Sequence, residues 1–135
     1  MSRLGKALLV AVAATGLLAG AAALAGPGTT ARIVAVGDVH GASDGLLAIL
    51  RAANLVDTTG RWTGGDSVLV QTGDILDRGD EVAPVVDLLQ RLQNEAPAEG
   101  GRVVVLLGNH EEMNLLFDFR DVSAGTFAAF ADAES

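Results

Sequence analysis

Three short aliphatic runs, Ile33 to Val36, Val68 to Val70 and Val103 to Leu107, each lead within a few residues to a glycine and then to a polar side chain able to hold a cation. The junctions read Gly37-Asp38-Val39-His40-Gly41, Gly73-Asp74-Ile75-Leu76-Asp77-Arg78-Gly79 and Gly108-Asn109-His110-Glu111. Valine-rich runs that alternate poorly are expected of strands buried on both faces of a parallel sheet. In an open α/β sheet, ligands bind outside the carboxyl ends of the strands, and right-handed crossovers bring those ends to one edge. The pattern therefore predicts that Asp38, His40, Asp74, Asp77, Arg78, Asn109 and His110 converge.

Helical patterns separate the runs. Ser43 or Asp44 can cap a helix whose apolar residues Leu46, Leu47, Ile49, Leu50 and Ala53 recur at helical spacing. A second helix is expected from about Val82 to Glu95, with Pro84 in its first turn, Val85, Val86, Leu88, Leu89 and Leu92 facing inward, and Pro97 beyond its end. The order is β-α-β-α-β. Further helices are expected from about Glu111 to Phe119 and near Gly125 to Ala131. Between the first helix and the second strand, the turn-rich stretch Thr58 to Asp66 holds the single tryptophan, Trp62, expected to pack rather than to bind a substrate.

The first 25 residues have a different character. Arg3 and Lys6 precede an uncharged Ala/Leu/Val-rich run that ends in Ala23-Leu24-Ala25, the small-residue pattern of a signal-peptide cleavage site. The expectation is an export signal over 1–25, a Gly/Pro/Thr linker over 26–30 and one domain over 31–135. The competing reading is an uncleaved membrane anchor, because the run reaches the roughly 18 to 20 residues that span a bilayer. The body is then periplasmic or otherwise extracytoplasmic, or anchored facing outward. With no cysteine, no disulfide framework stabilises it. Loss of the two cations Arg3 and Lys6 would take the formal charge from −8 to −10, which disfavours nucleic acid as a partner.

The residue types at the junctions explain one another chemically. Asp38 and His40, two apart, can reach one ion from an extended turn; Asp74 can bridge two ions, and Asn109 offers an amide oxygen to the second. Mixed oxygen and nitrogen ligation suits manganese, iron or zinc. Two such divalent ions about 3.5 to 4 Å apart can share a hydroxide and clamp a phosphoryl group during in-line attack. His110 is the candidate general acid for the leaving alcohol, with Asp77 as the carboxylate that orients it. Arg78 can grip phosphate oxygens in a planar fork. Glu111 and Glu112 are expected simply to begin the next helix, where acids favour the positive end of the dipole.

GDVHG, GDILDRG and GNHE together resemble, in order, the first three signature motifs of the phosphoprotein phosphatases within the calcineurin-like metallophosphoesterases. GNHEEMN followed by DFRDV, with the Trp62 segment ahead of the second motif, is most similar to the Shewanella-like branch. The resemblance covers roughly residues 31 to 133. It implies an α/β fold, the β-α-β-α-β half of an α/β/β/α sandwich, with a dinuclear metal centre at the C-terminal ends of parallel strands. It implies hydrolysis of phosphomonoesters, on phosphoproteins (serine/threonine or tyrosine) or small molecules. By position, Asp38, His40 and Asp74 hold one metal, Asp74 and Asn109 the other; Arg78 binds substrate phosphate, Asn109 also faces the substrate, and His110 is the acid oriented by Asp77. Asp77 also argues against the similar dinucleotide-polyphosphate hydrolases, the alternative within the superfamily.

Family members continue further, with two more histidine ligands, a second arginine and an opposing sheet. The two histidines here, His40 and His110, are both already assigned. The chain is therefore expected to be a truncated part of the domain, weak or inactive alone, with an incomplete second metal site and one sheet face short of cover. The alternative class is a catalytically incompetent fragment that binds metal or phosphate or serves as an interaction module.

Overall fold

The structure, a computed structural model, describes residues 31–131. The expected export segment and linker lie outside the described residues. Among those described, no helix is long and apolar enough to cross a membrane.

Strands β1 (Ile33–Val36), β2 (Val68–Gln71) and β3 (Arg102–Val105) form one parallel sheet in the order β1-β2-β3. Helix α1 (Ser43–Ala52) connects the first pair and α2 (Val82–Glu95) the second; α2 runs on into a 3₁₀ turn (Ala96–Glu99) before β3. Helices α3 (Asn109–Leu115) and α4 (Ala124–Phe130) follow. The β-α-β-α-β reading is therefore correct.

The strands are not buried on both faces as expected. Val34, Leu69 and Val103 stand in register, as do Val36, Gln71 and Val105, and these positions line the face that packs on the helices. On the other face Ile33 is 69% exposed and Ala35 is also open to solvent. Strands added in sequence order by crossovers of one hand put both connecting helices on the same side, so among the described residues one face is covered and the other open. The uncovered apolar face anticipated from the sequence is thus present. β3 also ends two residues early: the Leu106 N–H makes a last bond to the Gln71 carbonyl (2.9 Å), and the chain then leaves the sheet with Leu107 71% exposed.

The core lies between sheet and helices. Leu46 and Leu50 of α1, and Val85, Leu89 and Leu92 of α2, meet Val36, Leu69 and Val103. Each fully buried leucine contributes roughly 1.5–3 kcal/mol relative to exposure. Ile49, at the edge of the α1 stripe, stays exposed, and Val86 is only partly buried. Neither Ser43 nor Asp44 caps α1; Ala42 occupies that position without a side-chain bond, and Asp44 sits in the first turn, where its charge favours the helix dipole. Trp62 is a packing residue, 4% exposed, with its indole N–H on the Gly65 carbonyl at 3.2 Å. It lies by Gly101, at the end of the sheet opposite the glycine junctions.

Candidate metal centre

Backbone geometry brings the three strand ends together. The amides of Val39 and His40 both donate to the Asp74 carbonyl at 3.0 Å, and that of Gly41 to the Ile75 carbonyl at 3.0 Å, joining the loops after β1 and β2. The loops after β2 and β3 approach so closely that a Cβ on Gly73 would strike the backbone of Gly108, and one on Gly108 would strike Asp74. Gly37, by contrast, has open space around it.

Four chemistry-bearing residues adopt the left-handed backbone region that side chains usually avoid: His40 (φ 46°), Asp74 (57°), Asp77 (67°) and Arg78 (63°). Such conformations cost of order 1–3 kcal/mol each and persist where the surroundings impose them. Here the imposing groups include the amide of Arg78, bound to the Asp121 carbonyl at 2.9 Å, and the Gly79 carbonyl, which accepts from the hydroxyls of Ser123 (3.2 Å) and Thr126 (3.1 Å) at the start of α4.

Donor atoms of Asp38, His40 and Asp74 lie within 4.8 Å of one another. His40 Nδ1–H donates to the Leu76 carbonyl at 2.9 Å; since a carbonyl can only accept, this bond fixes the tautomer and leaves the Nε2 lone pair facing Asp38, whose carboxylate is 3.8 Å away. One Asp74 oxygen accepts the His110 amide at 3.0 Å. Two carboxylates and an imidazole at this spacing are a donor set that fits a divalent transition cation. Asn109, the residue expected to serve a second cation, is an exposed side chain at the first position of α3 with its amide nitrogen 3.9 Å from Met113 Sδ.

Beside this cluster, the ring of His110 is 4.7 Å from that of His40 in an edge-to-face arrangement. His110 Nδ1–H donates to Asp77 Oδ2 at 2.9 Å, and both groups are almost fully buried. Arg78 spans the two rings, with one guanidinium nitrogen 3.1 Å from His40 Nε2 and the other 3.0 Å from His110 Nε2. All seven residues singled out from the sequence therefore come to the same edge of the sheet, six of them joined by the contacts above and Asn109 by its place next to His110.

The sequence reading did not single out Asn114, and it gave Glu111 only a helix-starting role. Asn114 donates to both Asp77 oxygens (3.0 and 2.9 Å) and to the His110 carbonyl (2.9 Å), so it holds the carboxylate partner of His110 from behind. The signal was available, because four residues after His110 is the same face of a helix. Glu111 does more than begin a helix: its carboxylate is buried and accepts from the amides of Gly108, Asp74, Ile75 and Leu76. The exposed Glu112 makes no such bonds among the described residues.

The calcineurin-like phosphoesterase family model matches residues 31–134. The chain belongs to that family. Among phosphoesterase relatives, it is 44% identical over 92 residues to Shewanella-like protein phosphatase 2 of Arabidopsis thaliana, covering 68% of this chain and 24% of the relative. It is 39% identical over 92 residues to Shewanella-like protein phosphatase 1 of Plasmodium berghei, covering 68% of this chain and 25% of that one. Among solved structures, the cold-active protein-tyrosine phosphatase of a psychrophilic Shewanella species superposes with a TM-score of 0.68 at 41% identity, over 72% of this chain and 29% of the other. The chain spans about a quarter of the length of the curated phosphatases it matches.

Proposed function

We propose that this chain carries the cation- and phosphate-binding corner of a metal-dependent phosphomonoester hydrolase that acts on phosphoproteins, outside the cytoplasm if residues 1–25 act as an export signal. The observation that carries this is the Asp38, His40 and Asp74 cluster lying next to the His110–Asp77 pair, with Arg78 between them. The names of the relatives, protein phosphatases and a protein-tyrosine phosphatase, support a phosphorylated side chain as substrate.

Asp38, His40 and Asp74 would hold the first cation, and Asp74 with Asn109 would contribute to a second; manganese, iron and zinc suit these donors. A bound divalent cation supplies Lewis acidity toward water and phosphoryl oxygens. The lone pair of His40 Nε2 can serve Arg78 or a cation but not both, so cation binding releases the Arg78 fork for two oxygens of a phosphate. His110 keeps Nδ1–H on Asp77 while its Nε2 faces the centre, where it can carry a proton to the departing alkoxide and return to the tautomer seen. Asn114 keeps Asp77 from turning away.

Among the described residues the three-ligand cluster is Asp38, His40 and Asp74, and it is compatible with a second reading as a metal- and phosphate-binding module. Both readings require phosphate to bind next to a cation through Arg78. With Mn²⁺ present, the ³¹P resonance of inorganic phosphate should broaden on adding the full chain, and Arg78→Ala should weaken that binding about tenfold or more. Equal broadening by the variant would remove Arg78 from the phosphate site.

A further inference from the structure

We infer that Glu111 is a positioning residue that sets the geometry of the cation ligands from behind, an inference that rests on the metal-site reading above. Glu111 is 6% exposed, and the four hydrogen bonds its carboxylate accepts all come from backbone amides. Oε2 accepts from the amides of Asp74 (2.7 Å) and Gly108 (2.7 Å); Oε1 accepts from those of Ile75 (2.9 Å) and Leu76 (3.1 Å). A helix start needs only the Gly108 bond, in which the Glu111 carboxylate reaches back to the N-cap amide of α3. The other three reach across to a different loop.

Each of those three bonds acts on a ligand. The Asp74 bond holds a residue in the left-handed region with its carboxylate aimed at the cluster. The Ile75 amide shares a peptide plane with the Asp74 carbonyl, which receives the Val39 and His40 amides, and the Leu76 amide shares one with the Ile75 carbonyl, which receives the Gly41 amide, so the same carboxylate fixes the backbone that carries His40. Glu111 thereby fixes both members of the Asp74–His40 pair, while the Gly108 bond ties their loop to the segment bearing Asn109. A carboxylate suits this task because it only accepts, with capacity for four N–H donors. An amide would offer one accepting oxygen and turn an NH₂ toward amide hydrogens.

The test compares Glu111→Gln with wild type in the full chain. Mn²⁺ affinity is read by calorimetry, and folding by the thermal midpoint and the fluorescence of Trp62, at the far end of the sheet. Outer partners of metal ligands are typically worth 10–100-fold in affinity, so Glu111→Gln should lose at least tenfold while remaining folded, and Glu111→Asp, which keeps the charge, should recover part of the loss. A folded Glu111→Gln protein with wild-type Mn²⁺ affinity overturns the inference. Should Glu111→Gln fail to fold, hydrogen exchange in wild type decides: Mn²⁺ must slow exchange of the Asp74, Ile75, Leu76 and Gly108 amides, and unchanged rates overturn it, because coupling between sites is reciprocal. Asp38→Asn is the control for the site itself. If it loses Mn²⁺ affinity and Glu111→Gln does not, only the positioning role falls; if neither loses affinity, the cation site falls with it.

Discussion

His40 and His110 are held alike and partnered differently. Each donates Nδ1–H to a fixed oxygen and turns Nε2 toward the centre, but His40 has a neutral carbonyl behind it and His110 a buried carboxylate. A carbonyl suffices to orient a ring that offers a lone pair, whereas a carboxylate also supports a ring that takes on a proton. This difference is why the proposal above gives the acid role to His110. A general acid matters most when the leaving alcohol is poor, so His110→Ala should slow release of phosphate from an alkyl ester such as phosphoserine by roughly 10²- to 10⁴-fold, and from p-nitrophenyl phosphate far less. Equal losses on the two substrates in steady-state assays would deny His110 that role. These residues were legible in the sequence because each lies within a few positions of its strand end. Glu111 begins its helix as expected, but its hold on the loop of Asp74 to Leu76 was not legible, because those partners lie more than thirty positions away and become neighbours only through the fold; for Asn114 the helical spacing from His110 was legible but the Asp77 partner was not.

At the scale of elements, the apolar periodicity of α1 and α2 placed both helices, and the amide of Trp62 shows how one of them is tied down. That N–H donates to the carboxylate of Glu95, the last residue of α2, at 2.8 Å, and Arg91 donates to the same carboxylate at 3.1 Å. The Trp62 bond first, then Arg91, holds the Glu95 carboxyl below the usual carboxylate range. A carboxyl whose folded value is depressed adds stability above its unfolded value, and that stability disappears as pH falls through the folded one. Thermal midpoints should therefore drop on acidification below the ordinary glutamate range, and Glu95→Gln should lower the midpoint at neutral pH while flattening this part of the acid dependence. An unchanged acid profile in the variant would assign the dependence to other carboxylates. Strand ends and the α1 cap were less legible than the helices, since they depend on where tertiary bonds such as Leu106 to Gln71 stop the ladder.

The molecule as a whole, within residues 31–131, is a one-sided sheet with its chemistry at one edge and exposed apolar surface elsewhere. Leu106, Leu107, Leu115, Leu116 and Phe117 are open, and Phe117, Phe119 and Phe127 form an edge-to-face series with centroids 6.2 and 6.0 Å apart. The valine-rich runs announced a parallel sheet but could not tell one buried face from two, because that depends on the order and hand of the crossovers rather than on strand composition. What the sequence pattern did convey was convergence: two glycine junctions, far apart in the chain, delivering Asp38, His40 and Asp74 to one point, and a third bringing His110 beside them. Titration of the full chain with Mn²⁺ tests this most directly. A saturable binding event is expected, weakened at least tenfold by His40→Ala and untouched by Asp44→Ala, an acidic residue on α1 outside the cluster. Full Mn²⁺ affinity in His40→Ala, or equal loss in both variants, would contradict a cation site built from the strand ends.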